Sequence, residues 1–273
     1  MIHSIAQDRP TDPHGARLFR LVEELQVKFG YERSVRFCQR EIFPERFLLS
    51  LNKASLAPDA DSKLGELFRL LGMPESLVEK SHEFSHSAKF IHLGFEKTSL
   101  ACMSKIYFEI GLPTTICNQK PIILHRALKW DVAQPDRSVA TQYVWHPRLE
   151  SELLFKKLDE VYCSHDEHEP LEIARRILRE VLKRVDPTSV RYMEVIEDQN
   201  PRRSFDLNLY QSRLCVSDLQ PLLLRMQLHY QIPDQPFQDW YEQAQWTSLG
   251  HLAGGVHRDG HDFMNLYFGV EER

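Results

Sequence analysis

The hydrophobic positions of this chain switch between two periods. Leu18, Leu21, Val22, Leu25 and Phe29 recur at helical spacing, with Gly30 at a C-cap position, so residues 15–29 read as an amphipathic helix. Two short strand-rich runs follow, 31–38 and 45–51, parted by Pro44, and predict a hairpin. Leu64, Leu67, Phe68 and Leu71 behind Asp61, then Leu77 and Val78 behind Pro74, predict a pair of short helices. A second hairpin is expected over 88–95 and 102–110. A third, over 122–132 and 138–146, turns at Pro135-Asp136, with only a loop, 111–121, between the two.

The second half is more regular. Leu149, Leu153, Leu158 and Val161 mark one helix, and Pro170 opens another that carries Ala174, Ile177, Leu178, Val181 and Leu182. A fourth hairpin is expected over 189–196 and 204–210. Ser217 with Gln220 reads as a capping box before Leu219, Leu222, Leu223 and Met226, and Asp234 starts a helix with Phe237, Trp240 and Tyr241. The fifth hairpin, 247–256 and 261–269, turns at Asp259-Gly260.

Five hairpins, most preceded by one or two helices, make units of similar plan without evident sequence identity. Hairpins joined by helices build an antiparallel sheet, and closing that sheet into a barrel removes both of its edges. The expected fold is therefore α/β: one domain over residues 1–273, a closed antiparallel β-barrel of about ten strands surrounded by helices. Ten strands leave a lumen wide enough for a ligand.

Alternation then assigns side chains to faces. Phe205, Leu207 and Leu209 oppose Asp206, Asn208 and Tyr210, and Met264, Leu266 and Phe268 oppose Phe263, Asn265 and Tyr267. With helices packed outside, the apolar rows meet the helices and the polar rows line the lumen. The same test places Arg46 with Leu48 and Ser50, Lys105 with Tyr107 and Glu109, Lys129 with Ala127, and Tyr143 with Thr141. Arginine offers a bidentate fork to phosphate, lysine a compact charge and tyrosine a neutral hydrogen bond, so this set can hold a diphosphate without a glycine loop. Glu32, Glu194 and Asp206 are acids expected to face inward.

Composition narrows the classes. The chain is 42% hydrophobic and 27% charged, with a net charge of −5 and scattered basic residues, which argues against a nucleic-acid partner. Five separated cysteines without a CxxC pair suit reduced thiols. No signal peptide and no apolar run of membrane-spanning length are read, so a cytoplasmic monomer without membrane contact is expected. GxSxG, P-loop, GxGxxG and DDxxD segments are absent. The histidines near Cys163-Ser164-His165, the pair His82 and His86, and the pair His257 and His261 lack the ligand set of a zinc site, so no metal is assigned.

Ser104-Lys105-Ile106-Tyr107 resembles the Lys-x-Tyr strand motif of the ABBA prenyltransferases. Glu45-Arg46-Phe47-Leu48-Leu49, Leu128-Lys129-Trp130-Asp131, Phe205-Asp206-Leu207-Asn208-Leu209-Tyr210 and Asn265-Leu266-Tyr267-Phe268 are similar, in order and spacing, to strands of the cyanobactin peptide prenyltransferases. The resemblance runs from about Glu32 to Glu271. It implies a barrel of α-β-β-α repeats and transfer of an isoprenyl group, dimethylallyl or longer, from an allylic diphosphate to a side chain of a ribosomally made, cyclic peptide. Arg, Tyr, Trp and His all remain open as acceptors. In this picture Glu32 is the catalytic base, and Arg46, Lys105, Lys129, Tyr107 and Tyr210 bind diphosphate. Tyr143, Tyr192, Asp206, Asn208, Asn265 and Tyr267 line the prenyl and acceptor pocket. No cofactor is tightly bound, and any Mg2+ arrives with the diphosphate. Two features depart from the family pattern: the third repeat lacks helices, and Tyr107 stands where some relatives have histidine. Prenylation of a free aromatic metabolite, and a non-catalytic barrel that binds an amphiphile, are the alternatives.

Overall fold

Asp12 caps the first helix, its carboxylate accepting from the backbone N–H groups of His14 and Gly15, and Pro13 fills the first turn where no N–H is needed. In the computed structural model, which describes residues 9–99, 101–112, 120–163, 168–198, 200–257 and 259–273, this helix opens the first of five hairpin units. The helices are α1 (Pro13–Glu23), α2 (Ala60–Leu70), α3 (Glu75–His86), α4 (Ser151–Tyr162), α5 (Glu169–Leu182), α6 (Gln220–His229) and α7 (Asp234–Ala244). The strands are β1 (Phe29–Cys38), β2 (Glu41–Asn52), β3 (Ala88–Lys97), β4 (Cys102–Ile110), β5 (Ile122–Asp131), β6 (Ser138–His146), β7 (Arg191–Glu197), β8 (Asn200–Asn208), β9 (Leu249–Val256) and β10 (Asp262–Glu272).

All ten strands pair antiparallel with their sequence neighbours, and β1 pairs with β10 to close the barrel. That closing seam runs from Gly30 opposite Glu272 to Phe37 opposite Met264. No sheet edge remains unpaired, which is the physical reason for closure. The apolar rows do face the helices. Tyr31, Phe47, Leu49, Leu51, Leu93, Phe95, Ile106 and Phe108 are buried with the apolar sides of α1, α2 and α3, and Phe205, Leu207, Leu252 and Leu266 with those of α4 to α7. On α5, Ile173, Ala174, Ile177, Leu178 and Val181 are fully buried, one stripe at helical spacing. Among the described residues, no helix lies between β4 and the hairpin β5–β6. Among the described residues, no helix is long and apolar enough to cross a membrane, and Cys38, Cys102, Cys163 and Cys215 are free thiols.

Three boundaries depart from the sequence expectations. The first helix ends at Glu23 rather than 29, because Gln26 takes a left-handed φ of 54° and Phe29 enters β1 opposite Leu51. The first hairpin turns at Gln39-Arg40, with Arg40 at φ 62°, and Pro44 lies inside β2. There the register between Ser34–Arg46 and Arg36–Phe43 slips by one residue, a bulge that accommodates a residue without an N–H. Third, α6 is preceded by a 3-10 turn in which the Asp218 carboxylate accepts from the Cys215 N–H at 2.9 Å, so Asp218 rather than Ser217 caps this entry. Ser164 to Glu167 and most of the 111–121 loop lie outside the described residues.

Candidate active site

The lumen holds two connected spaces that share Tyr107, Tyr143, Asp206 and Tyr267 in their walls. One is a narrow cleft of about 40 Å³ lined by Arg36, Arg46, Lys105 and Lys129. Arg46 pairs directly opposite Glu96 across β2 and β3, and Lys105 opposite Lys129 across β4 and β5. Glu96 gathers the cations: Arg46 Nη1 lies 2.6 Å and Arg36 Nη1 3.3 Å from its carboxylate, and the Lys105 ammonium donates to it. Asn265 Oδ1 accepts from Arg36 Nε at 2.9 Å. The Lys129 ammonium lies 5.9 Å from the Tyr143 ring centroid.

Glu96 and Lys105 are both buried, and their protonation follows from the neighbours. Burial pushes the Glu96 carboxyl up, but Arg36, Arg46 and Lys105 outweigh burial and hold it well below the usual carboxylate range. Burial also pulls the Lys105 ammonium well below its usual range. Glu96 opposes this, while Arg46, Lys129 and Arg36 add to it. Arg36, Arg46 and Lys105 share the Glu96 carboxylate, and with Lys129 beside them these basic side chains outnumber the two carboxylates of the cleft, Glu96 and Asp206, a lining suited to an anion.

The other space is an open-ended cavity of about 300 Å³. Its wall carries three carboxylates, Glu32, Glu109 and Asp206, and three imidazoles, His92, His125 and His251. Glu32 sits on β1, buried, and accepts from the Tyr210 hydroxyl. Burial raises the Glu32 carboxyl above its ordinary range, against the lowering effects of His251 and Tyr210 and together with Asp206. A β-carbon at position 250 would stand 2.2 Å from Glu32 Oε1 and 2.9 Å from the Tyr210 ring, so Gly250 leaves the room that this pair fills. His251 Nδ1 lies 2.7 Å from Asp206 Oδ1. Burial lowers the His251 imidazole, yet Asp206 and Glu32 more than reverse that and lift it to about 9, so it is an imidazolium at neutral pH.

Between the two spaces lies a collar of phenols. The Tyr107 and Tyr143 rings meet edge to face at 5.5 Å, and Tyr267 stands opposite on β10, 5.6 Å from His251. Burial lifts Tyr107 well above the ordinary phenol range and Tyr267 to about 12, so both hydroxyls stay neutral. Neutral ring faces directed into a shared lumen can stabilise a cation that forms between them.

The structure thus brings Arg46, Lys105, Lys129, Tyr107, Tyr143, Asp206, Asn265 and Tyr267 to the cleft, and Glu32 and Asn208 to the cavity. Tyr210 does not join the cleft. Strand β8 ends at Asn208, Tyr210 opens a 3-10 turn, and its hydroxyl goes to Glu32 at the far end. Tyr192 is not in the pocket either. It is buried outside the barrel, 3.5 Å from the Lys157 carbonyl of α4, because Arg191 and Met193 are the inward residues of β7. Glu194 shares the outward phase and is bonded by His146 at 3.2 Å. Sequence reasoning missed Arg36, Glu96, His92, His125 and His251. The alternation of β3, with Ile91, Leu93 and Phe95 buried against helices, could have turned His92 and Glu96 inward.

No family model matches the sequence, and no curated protein matches it. Solved structures do. The chain is similar to AnaPT from Neosartorya fischeri, with 14% identity, a TM-score of 0.52, and coverage of 87% of this chain and 77% of that one. It is similar to the prenyltransferase PriB in its ternary complex with L-tryptophan and dimethylallyl thiolodiphosphate, with 10% identity, a TM-score of 0.54, and coverage of 88% and 79%. NotF in complex with brevianamide F and the same thiolodiphosphate gives 11% identity, a TM-score of 0.54, and coverage of 87% and 79%. At this level of identity the likeness is one of fold: a closed ten-stranded antiparallel barrel wrapped by helices, the ABBA or PT-barrel architecture.

Proposed function

We propose that this chain is a prenyltransferase that moves a dimethylallyl group from its diphosphate to a side chain of a ribosomally made, cyclic peptide. The observation that carries the reading is one lumen with a cation nest on one side of a tyrosine collar and a buried carboxylate cluster on the other. The solved neighbours add support, since two of them hold a dimethylallyl thiolodiphosphate.

The chemistry follows from that arrangement. The diphosphate binds among Arg36, Arg46, Lys105 and Lys129, where any Mg2+ enters as part of the substrate. The C1–O bond of the donor breaks, both electrons leave with the diphosphate, and the cations stabilise the growing negative charge. The allyl cation is shielded by the faces of Tyr107, Tyr143 and Tyr267. An acceptor nitrogen, oxygen or ring carbon supplies the electron pair for the new bond to the allyl carbon, and Glu32 removes the proton that the acceptor must lose. Tyr210 and Gly250 hold Glu32 in place.

Glu32, Asp206 and Glu109 on the acceptor side favour a basic side chain, a guanidinium before an indole, because a cation is oriented by carboxylates that a neutral ring does not need. Transfer to a free aromatic molecule is the second reading, supported by the tryptophan and brevianamide F held by the neighbours.

Mass spectrometry after incubation with dimethylallyl diphosphate decides between them. Cyclic peptides bearing one arginine, tyrosine, tryptophan or histidine are offered beside free L-tryptophan. Addition of one dimethylallyl unit to the arginine peptide is expected. Modification of free tryptophan alone would replace the peptide reading. No product from dimethylallyl or geranyl donor, with the donor still bound, would leave an amphiphile-binding barrel.

A further inference from the structure

His92, Glu109 and His125 stand on three adjacent strands, β3, β4 and β5, all in the wall of the wider cavity. Glu109 pairs directly opposite His125, and His92 opposite Tyr107, two residues from Glu109 on the same strand. One ligand atom from each of the three lies within 4.8 Å of the other two. The His92 Nε2 to Glu109 Oε2 separation is 3.0 Å, close to the roughly 3.3 Å edge that tetrahedral ligands make around a zinc-sized ion at about 2.0–2.1 Å. The two imidazole rings have centroids 5.6 Å apart.

Two details separate this group from an ordinary polar contact. His125 Nδ1 is buried and has no hydrogen-bond partner among the described residues. His92 Nδ1 is held by the Ser50 hydroxyl at 2.8 Å, the outer contact that commonly orients a ligating imidazole and leaves its other nitrogen for a metal. The two histidines have no part in the prenyl chemistry proposed above. Arg36, Arg46, Lys105 and Lys129 already serve the diphosphate, and Glu32 already serves the proton.

The geometry points to a divalent transition-metal site of two histidines and one carboxylate at His92, Glu109 and His125. Two imidazoles with one carboxylate select the zinc, cobalt and iron(II) class over Mg2+ or Ca2+, which favour all-oxygen shells. Three ligands on one side leave a fourth position directed to the cavity, where water or a heteroatom of the acceptor completes the shell. Closing the set requires the three ligand atoms, now within 4.8 Å of one another, to draw together to ligand spacing. Metal binding here does not require prenyl transfer, and its test reads binding alone.

The test uses the full chain after chelator treatment, titrated with Co2+ and followed by its visible d–d absorption. One equivalent is expected to bind with the intense band of a low-coordinate nitrogen–oxygen site, and Zn2+ is expected to bleach it. His125→Ala and Glu109→Gln, each checked for intact circular dichroism, are expected to weaken Co2+ binding at least 10–100-fold, the scale already seen for the loss of outer-shell partners. The idea is overturned by no band at stoichiometric Co2+, or by unchanged affinity in both folded variants, which would assign binding to surface histidines. If either variant fails to fold, the histidine-ring nitrogen spectrum of the unaltered chain decides. Zn2+ must shift two ring systems at one equivalent, and a spectrum without such shifts rejects the site.

Discussion

The two ends of the lumen are made from the same strands yet solve opposite electrostatic problems. In the cleft, Arg36, Arg46 and Lys105 converge on the carboxylate of Glu96, with Lys129 beside them. In the cavity each carboxylate meets a neighbouring phenol or imidazole, Glu32 with Tyr210, Glu109 with His92 and Asp206 with His251. The first end stores unbalanced positive charge that an incoming anion can complete. The second holds protons at defined atoms. Strand β4 shows the change within a few residues: Lys105 in the nest, Tyr107 in the collar and Glu109 in the cavity, every second residue one step along the barrel axis.

The strongest way to break this contrast is to remove the counter-ion. Glu96→Gln is expected to destabilise the anion-free protein by about 3–5 kcal/mol, the scale for stranding buried charges. Inorganic pyrophosphate should restore much of it, raising the melting temperature more in the variant than in the unaltered chain. Equal stabilisation by pyrophosphate in both would mean that Glu96 is no stand-in for the ligand.

At the other end, Glu32→Gln keeps the shape and removes the base. Transfer is expected to fall by about 10²-fold or more while donor affinity holds. Near-normal turnover would return the proton to Asp206.

Arg46→Ala and Lys105→Ala test the nest from the cationic side. Each is expected to weaken donor binding by about 10–100-fold, since one charge-assisted hydrogen bond contributes about 1.5–3 kcal/mol. Donor titration together with thermal melts checks it. Intact melts with unchanged affinity in both would remove the diphosphate assignment.

The pH profile sharpens the comparison further. Glu32 must be deprotonated to act, and burial has raised it, so kcat/KM should climb with pH through a range above that of ordinary carboxylates. The imidazolium of His251 is lost near pH 9, which leaves Asp206 without its partner and should bring rates down. In His251→Gln the alkaline limb should move or vanish, and a limb that stays in place would assign it elsewhere. The smallest effect belongs to Tyr192→Phe. Its hydroxyl makes one long contact outside the barrel, so transfer should change by less than about twofold, and a larger loss would put it back in the pocket.

How far the sequence reached depended on the contrast between strand faces. Along 205–208 of β8 and 263–268 of β10 one row is wholly apolar, so Phe205, Leu207, Met264 and Leu266 could only meet the helices, and Asp206, Asn208, Asn265 and Tyr267 followed inward. Strand β7 offers no such contrast. Arg191, Met193 and Val195 alternate with Tyr192, Glu194 and Ile196, each row mixed, so its phase was set by Tyr192 packing beneath α4, a contact between segments far apart in the chain.

By itself, then, the chain's periodicity determined the hairpin units, the helices between them and the inward phase of the well-patterned strands, because these depend on spacing within one segment. Only the tertiary structure decided which inward residues meet. The register that sets Arg46 opposite Glu96, and Glu109 opposite His125, depends on how neighbouring strands slide past one another. The meeting of Glu32 with Tyr210, 178 residues apart, depends on closing β1 against β10 and on the missing side chain of Gly250. Pairings across the lumen are fixed by barrel closure and strand stagger, which no local pattern of hydrophobic and polar residues encodes.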